Sequence, residues 1–226
     1  MHGPMRILYH LWLSPFSRKI RVVLKEKNLE FTLKIEKVWE RRREFLALNP
    51  AGEVPVLIEP DGAVLADHAA IAEYLDEAHR EKLLLGLNPI DRAEVRRLCA
   101  WFDVKMNNEV TENLVGEKIM KRFLGFGQPS SAAIRAGHQN IVHHLDYIGY
   151  LTERRRWLAG DNFSLADIAA AAHLSVLDYL GDVPWENHEA AKEWYARVKS
   201  RPSFRPLLTE TVKGTLPAPS YADLDF

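Results

Sequence analysis

The sequence predicts an α/β domain at the N-terminus followed by a larger all-helical domain, a mixed α/β plus all-α fold class. Two observations support this prediction. Strand-forming and helical runs alternate up to about residue 80, whereas from residue 91 onward apolar residues recur only at the three- and four-residue spacing of helices. We therefore expect an α/β domain over residues 5–80, an all-helical domain over 91–214 and an extended tail over 215–226.

The α/β domain is expected to have the element order βαβαββα. Its opening βαβ unit requires two parallel strands and a right-handed crossover. The turn signal Pro60-Asp61-Gly62 makes the last two strands an antiparallel hairpin. In chain order, the expected elements are Met5–His10, Ser17–Lys27, Phe31–Ile35, Arg41–Leu46, Val54–Ile58, Ala63–Leu65 and Asp67–Ala78.

The all-helical domain is predicted from long amphipathic runs. One helix opens with Ser164 and carries Asp167 three residues later, which is the pattern of a capping box. Its alanines at 169–172 would let neighbouring backbones approach closely, so we expect this helix to run through the middle of the domain. The expected helices are Asp91–Glu112, Ala132–Leu151, Ser164–Leu180 and Glu189–Lys199.

Composition and charge argue against several classes of partner. Thirty basic and thirty-one acidic residues nearly cancel, and a sequence pI near 6.8 gives no net field to attract nucleic acid or anionic lipid. No apolar run reaches the roughly 18 residues of a membrane span, so we expect no direct membrane insertion. Cys99 is the only cysteine, which excludes an internal disulfide and favours a cytoplasmic location. Residues 1–4 precede Met5, the expected natural start, and are left out of the fold prediction.

Four segments of the chain, taken in order, resemble the cytosolic glutathione transferase family. They are Ser14–Arg21, Asn49–Leu57, Ala70–Leu75 and Leu158–Asp167. The resemblance extends from Met5 to about Gly214 and implies the glutathione transferase fold, in which a thioredoxin-like domain precedes an all-helical one. It also implies a cis peptide bond between Val54 and Pro55, with the Val54 backbone placed where the family pairs with the backbone of glutathione.

The same resemblance implies where a glutathione site would lie. A serine, cysteine or tyrosine near the first helix donates to the glutathione sulfur in active relatives, and Ser14 occupies that position; the alternative is that Ser14 only caps the helix ahead of Pro15. The family's Glu-Ser or Gln-Ser, which binds the γ-glutamyl end, is here Asp67-His68. Because an imidazole replaces a small hydroxyl, we expect no catalysis and no glutathione cofactor. The alternative is a serine-type transferase that conjugates glutathione to small electrophiles.

The last residues and the segments Tyr9-His10 and Ser17-Arg18-Lys19 resemble a family of transferase-fold division proteins of alphaproteobacteria. That resemblance implies a non-catalytic homodimer at the division site that binds filaments of the tubulin-like FtsZ and regulates constriction. The tail, with alternating acidic and apolar residues, would contact a second division protein. The alternative is that the tail folds back on its own helical domain.

Candidate partner-binding residues lie in three places. Trp39 is an interface anchor candidate beside the basic run Arg41–Arg43, although it could equally pack under its own loop. A second basic face is formed by Lys118, Lys121 and Arg122, and most such faces are merely solvated. The tail candidates are Tyr221, Asp223, Leu224, Asp225 and Phe226.

Three histidines raise the question of a metal site. His143 and His144 point to different faces of one predicted helix, and neither they nor His138 have an obvious further ligand. We therefore expect no metal and interpret these histidines as structural.

Overall fold

The structure is a computed structural model that describes residues 5–224. The chain divides into two compact units after Leu83.

The N-terminal unit contains a four-stranded sheet with the strand order β2-β1-β3-β4. Strand β1 pairs in parallel with β2, while β1–β3 and β3–β4 are antiparallel, so the predicted βαβ unit and hairpin are confirmed. The elements are β1 Arg6–His10, α1 Pro15–Glu26, β2 Phe31–Ile35, α2 Arg43–Leu48, β3 Val56–Ile58, β4 Val64–Ala66 and α3 His68–Ala78. A short 3-10 turn, Val38–Glu40, which the sequence did not signal, precedes α2.

The sheet's core explains why these segments take these forms. Leu8 and Leu57 on adjacent strands are fully buried, as are the α1 residues Ile20 and Leu24. On the other side of β1, Tyr9 packs with Phe45 of α2, whose ring centroid lies 5.5 Å away. The last three residues of β1, Leu8, Tyr9 and His10, are all buried, so both faces of this strand are covered.

The helical unit agrees with the sequence prediction except in its first helix. Its elements are α4 Pro89–Ala100, a π-helical segment Trp101–Met120, α5 Lys121–Leu124, α6 Ser131–Thr152, α7 Leu165–Tyr179, a 3-10 turn Trp185–Asn187, α8 Glu189–Lys199 and α9 Arg205–Leu208. The predicted end at Glu112 is wrong, because Leu114 and Val115 continue the buried face and helical winding lasts until Gly125 adopts φ 68°. On α6, Gly137 permits this packing, since a Cβ there would lie 2.7 Å from Leu114 Cγ.

Helix α7 forms the centre of its unit, as predicted. Every one of its residues is buried. The expected capping box between Ser164 and Asp167 is present. The Asp167 carboxylate also accepts the backbone N–H of Leu158 at 2.9 Å and the indole N–H of Trp194 at 2.9 Å. One buried carboxylate thus holds together the start of α7, the preceding loop and α8.

Candidate functional site

Ser14 lies half-buried at the start of α1. Its hydroxyl oxygen accepts the backbone N–H of Ser17 at 3.2 Å, and Pro15 follows at the first helical position. This is the capping arrangement that the sequence allowed as an alternative. Because the cap uses only an oxygen lone pair, the hydroxyl proton is still able to donate to a ligand.

The peptide bond between Val54 and Pro55 is cis, as predicted. The loop before it is held by Asn49, whose side chain donates to the Glu53 carbonyl at 2.9 Å and accepts from the Ala51 N–H at 3.1 Å. The Val54 side chain packs against the cluster around Tyr9. The hydrogen bonds of Asn49 in the preceding loop and the packing of the Val54 side chain thus together hold the Val54 backbone in place.

Asp67 and His68 form the start of α3, where the family resemblance places the γ-glutamyl end of glutathione. Asp67, at φ 76°, accepts the N–H groups of Ala69 and Ala70 through Oδ1 at 2.8 and 2.9 Å. These two donors at the helix N-terminus are therefore already paired with a carboxylate of the chain itself.

The His68 imidazole is held against helix α1. Its ring stacks on Phe16 with centroids 4.4 Å apart and planes 20° apart. Its Nδ1 lies 3.4 Å from the Nζ of Lys19, which is itself buried. The side chain that replaces the family's serine therefore has defined partners and a fixed orientation.

His10, at the end of β1, belongs to the segment Tyr9-His10 that carried the family resemblance, but it was not among the candidate site residues. Its side chain is fully buried, and neither ring nitrogen has a hydrogen-bond partner among residues 5–224. The ring meets Trp12 edge-on at 4.6 Å. Burial, and secondarily the charge of Arg21, lower the pKa of His10 to about 3, so the imidazole is neutral at physiological pH. The sequence feature that could have drawn attention to His10 is its position at the end of a predicted strand.

The segment around Trp39 is ordered by its neighbours. Trp39 is half-buried in the 3-10 turn, and Val38 beside it packs against the sheet cluster. Arg42 binds the buried carboxylate of Glu36 through two nitrogens, at 3.2 and 2.5 Å. Arg41 and Arg43 are exposed, so the predicted run of three cations presents two of them to solvent.

The second predicted basic face is largely neutralised. Lys118 pairs with Asp182 at 2.5 Å, and His138 reaches the same carboxylate at 2.9 Å. Lys121 pairs with Glu117 at 2.9 Å. Arg122 remains exposed. Lys118, Lys121 and Arg122 therefore do not form the continuous cationic surface that their spacing suggested.

The tail folds back on the helical unit as far as the structure describes it. Tyr221 is fully buried, donates its hydroxyl to the Leu207 carbonyl at 3.0 Å and packs edge-on against Tyr179 at 5.1 Å. The buried ammonium of Lys199 donates to the carbonyls of Ser220 and Asp223, and burial lowers its pKa. Hence Tyr221 anchors the tail to the helical unit, as the fold-back alternative allowed, and its listing as a partner-binding residue stays a prediction that would require the tail to detach.

Of the remaining tail candidates, Asp223 is exposed and Leu224 is half-buried. Asp225 and Phe226 lie outside the described residues.

Two of the three predicted structural histidines, His138 and His144, have defined partners, whereas His143 is exposed. His144 is buried, accepts the Trp101 indole N–H at 3.0 Å and lies 3.1 Å from a Glu109 carboxylate oxygen. Burial lowers the pKa of His144 to about 4. Over residues 5–224 no group of three or more His, Cys, Asp or Glu side chains is arranged to hold a metal ion. Within the same range, no helix has the length and apolar character of a membrane span.

Comparison with known proteins agrees with the fold. Residues 13–78 match the glutathione S-transferase N-terminal domain, and residues 143–202 match the glutathione S-transferase C-terminal domain. The chain therefore belongs to the glutathione S-transferase family. Within it, the chain is 49% identical over 224 residues to FtsZ-localized protein A of Caulobacter vibrioides, with 98% of both chains covered, which confirms the predicted resemblance.

Solved structures extend this result. A glutathione S-transferase from Rhodospirillum rubrum F11 matches with a TM-score of 0.96 and 60% identity, covering 98% of this chain and all of the other. FzlA from C. crescentus matches with a TM-score of 0.95 and 49% identity over the same shares. Glutathione S-transferase 2 of Saccharomyces cerevisiae is more distant, at 27% identity over 89% of each chain.

Proposed function

We propose that this chain is a non-catalytic glutathione transferase-fold protein that binds FtsZ filaments and regulates bacterial cell division and constriction. The observation that carries the proposal is the 49% identity, over nearly the full length, to a protein whose name describes localisation with FtsZ. The chain would act in the cytoplasm at the division site, as a homodimer, with no cofactor. Its tail would contact a second division component.

The start of α3 supports the non-catalytic part of the proposal. A glutathione carboxylate at this position would need backbone donors, and those of Ala69 and Ala70 are already bonded to Asp67. It would also meet the His68 imidazole stacked on Phe16. Displacing either group would cost the hydrogen bonds or ring contact that each makes now.

The Trp39 segment is the surface we favour for FtsZ. A half-exposed tryptophan supplies large contact area, and the flanking Arg41 and Arg43 suit an acidic filament. The turn is fixed in advance by the pair between Arg42 and Glu36, so little conformational entropy is lost on binding. Lys118 and Lys121 are weaker candidates, because each is already paired with a carboxylate.

The test is co-sedimentation with assembled FtsZ. We expect the wild-type chain to pellet with polymer, Trp39→Ala and Arg43→Gln to pellet less, and Arg135→Gln, which alters an exposed cation of α6, to pellet like wild type. A wild-type chain that stays in the supernatant at all polymer concentrations would remove the proposal.

The second candidate function is a serine-type glutathione transferase acting on small electrophiles. The observation that favours it is Ser14, whose hydroxyl proton is not used by the helix cap. The test is conjugation of glutathione to a general electrophile. Turnover that Ser14→Ala abolishes while the fold is preserved would support this candidate.

A further inference from the structure

The sheet of the N-terminal unit ends in a strand with one open side. Strand β2, Phe31–Ile35, stands first in the order β2-β1-β3-β4 and pairs only with β1 over the part of the chain that the structure describes. The free side of an edge strand carries a row of backbone N–H and C=O groups, which form a template for pairing with another extended chain. The question is therefore what kind of chain would fit beside β2.

The direction of the backbone hydrogen bonds alternates along β2. The Glu36 N–H, just after the strand, donates to the His10 carbonyl of β1 at 3.0 Å. Because this direction repeats every second residue, Lys34 is also directed towards β1, whereas Leu33 and Ile35 point their N–H and C=O groups outward. Among the described residues these four outward groups have no hydrogen-bond partner. We call the outward groups of Leu33 and Ile35 the β2 edge.

The side chains of the same two residues form an exposed apolar stripe. Leu33 is 37% exposed and Ile35 is 49% exposed. They are aligned with Leu8 and His10 of β1, so they share a face of the sheet with Leu8, whose side chain is fully buried. The core that covers Leu8 therefore does not extend to the edge. A further strand beside β2 would cover Leu33 and Ile35 with its own side chains.

Lys34 is the only charged residue of β2 and lies on the opposite face of the sheet. Its ammonium donates to the Tyr9 hydroxyl at 3.1 Å and lies 4.9 Å from the centre of that ring. Because Tyr9 belongs to β1, the lysine side chain lies inward over the sheet and does not screen the edge, as edge lysines commonly do. Over residues 5–224 no carboxylate lies within ion-pair distance of Lys34. An acidic cross-strand neighbour is therefore favourable.

These features together select one kind of occupant. An extended backbone fits the outward N–H and C=O groups, apolar side chains fit Leu33 and Ile35, and an acidic side chain between them fits Lys34. A second copy of β2 fits less well, since Phe31–Ile35 contains no acidic residue to place opposite Lys34. We propose that the β2 edge binds an extended segment of a partner protein in which apolar and acidic residues alternate.

The inference goes beyond the proposed function, because it assigns a separate contact surface and holds whether or not the chain binds FtsZ. The candidate contacts with FtsZ are side chains of the Trp39 segment, whereas the β2 edge binds through main-chain groups. Arg43→Gln, which we expect to weaken co-sedimentation with FtsZ, should therefore leave peptide binding at the β2 edge unchanged.

Amide hydrogen exchange of β2 provides the test, with a capped peptide of alternating valine and glutamate as the probe. At about ten times its dissociation constant, we expect this peptide to slow exchange of the Leu33 and Ile35 N–H groups by about 10-fold. The Thr32 and Lys34 N–H groups face β1 and should change little, so they are internal controls. A peptide of alternating valine and lysine should not protect the β2 edge.

Two variants test the backbone geometry and the charge separately. Leu33→Pro removes one outward N–H, at a position where an edge strand tolerates proline, and should abolish protection of Ile35. Its matched control is Leu33→Val, which keeps the N–H and an apolar side chain and should bind like wild type. Lys34→Glu should reverse the preference, so that the valine–lysine peptide protects the β2 edge and the valine–glutamate peptide does not.

Three results would overturn the proposal. The first is no protection of Leu33 and Ile35 by the valine–glutamate peptide up to ~1 mM. The second is equal protection by that peptide in wild type and in Lys34→Glu. The third is protection that rises with protein concentration in the absence of peptide and is lost in Leu33→Pro, because the occupant would then be a second copy of this chain.

Discussion

Removing the tail anchor Tyr221 should destabilise the helical unit by an amount that the structure allows us to estimate. The ring is fully buried against Tyr179, and its hydroxyl donates to the Leu207 carbonyl at 3.0 Å. Tyr221→Phe removes only that hydrogen bond and should cost about 1 kcal/mol of unfolding free energy. Tyr221→Ala also removes the buried ring, for which about 3–5 kcal/mol is typical of a core aromatic.

The cost of Tyr221→Ala has an upper limit, because the tail can detach while the helices stay folded. When detachment of the tail requires less free energy than keeping the cavity that Tyr221→Ala creates, the tail detaches. The loss of unfolding free energy then equals the docking free energy of the tail. Urea unfolding followed by tryptophan fluorescence gives the free energies, and Tyr150→Phe, at a half-exposed ring on α6, is the matched control. If Tyr221→Ala unfolds within about 0.5 kcal/mol of wild type, the scatter of ordinary surface changes, the tail does not anchor as described.

Three further perturbations test the packing and the buried charges. Gly137→Ala should destabilise by about 1–3 kcal/mol because its Cβ would lie 2.7 Å from Leu114 Cγ, whereas Gly149→Ala, at 3.7 Å from Ala190 Cβ, should be neutral or stabilising in thermal melts. Asp167→Ala should cost several kcal/mol, since the Leu158 N–H and Trp194 indole N–H lose their buried acceptor; a melt close to that of wild type would refute this. The pKa of His10, lowered to about 3 from 6.5, means that its contribution is complete above pH 6.5 and is lost as pH falls toward 3, by about 1.4 kcal/mol per pH unit. In His10→Gln the pH slope of unfolding free energy should drop by that amount, and an unchanged slope would refute this.

Sequence patterns were sufficient where one local signal determined the structure. Asp167 three residues after Ser164 predicted a helix start that the structure reproduces. The first helix begins at Pro15, two residues before the expected start at Ser17, because Ser14 caps it, as the sequence allowed as an alternative. The end of the first long helix was misplaced because burial of Leu114 and Val115 depends on α6 and α7, whose approach no local pattern reports. Likewise the spacing of Lys118 and Lys121 indicated a cationic face. In the structure Lys121 pairs with Glu117 one turn earlier in the helix, and Lys118 pairs with Asp182, which lies 64 residues further along the chain.

The tail shows the limit of local patterns most clearly. Alternating acidic and apolar residues suggested either a free recognition peptide or a segment that folds back. The choice depends on whether a buried site exists for Tyr221, and that site is assembled from Tyr179 and Leu207, which are distant in sequence. Lys199, which a helix-end pattern would place in solvent, instead binds the tail carbonyls.

Under the proposed function, Asp67 and His68 close the position where relatives of this fold would hold glutathione, and the chain would work by protein contact. The most direct measurement is a calorimetric titration of the full chain with glutathione. We expect no saturable heat up to ~10 mM glutathione, which corresponds to a binding free energy weaker than about 3 kcal/mol. Saturable uptake in the millimolar range or tighter, accompanied by turnover that Ser14→Ala removes, would contradict it.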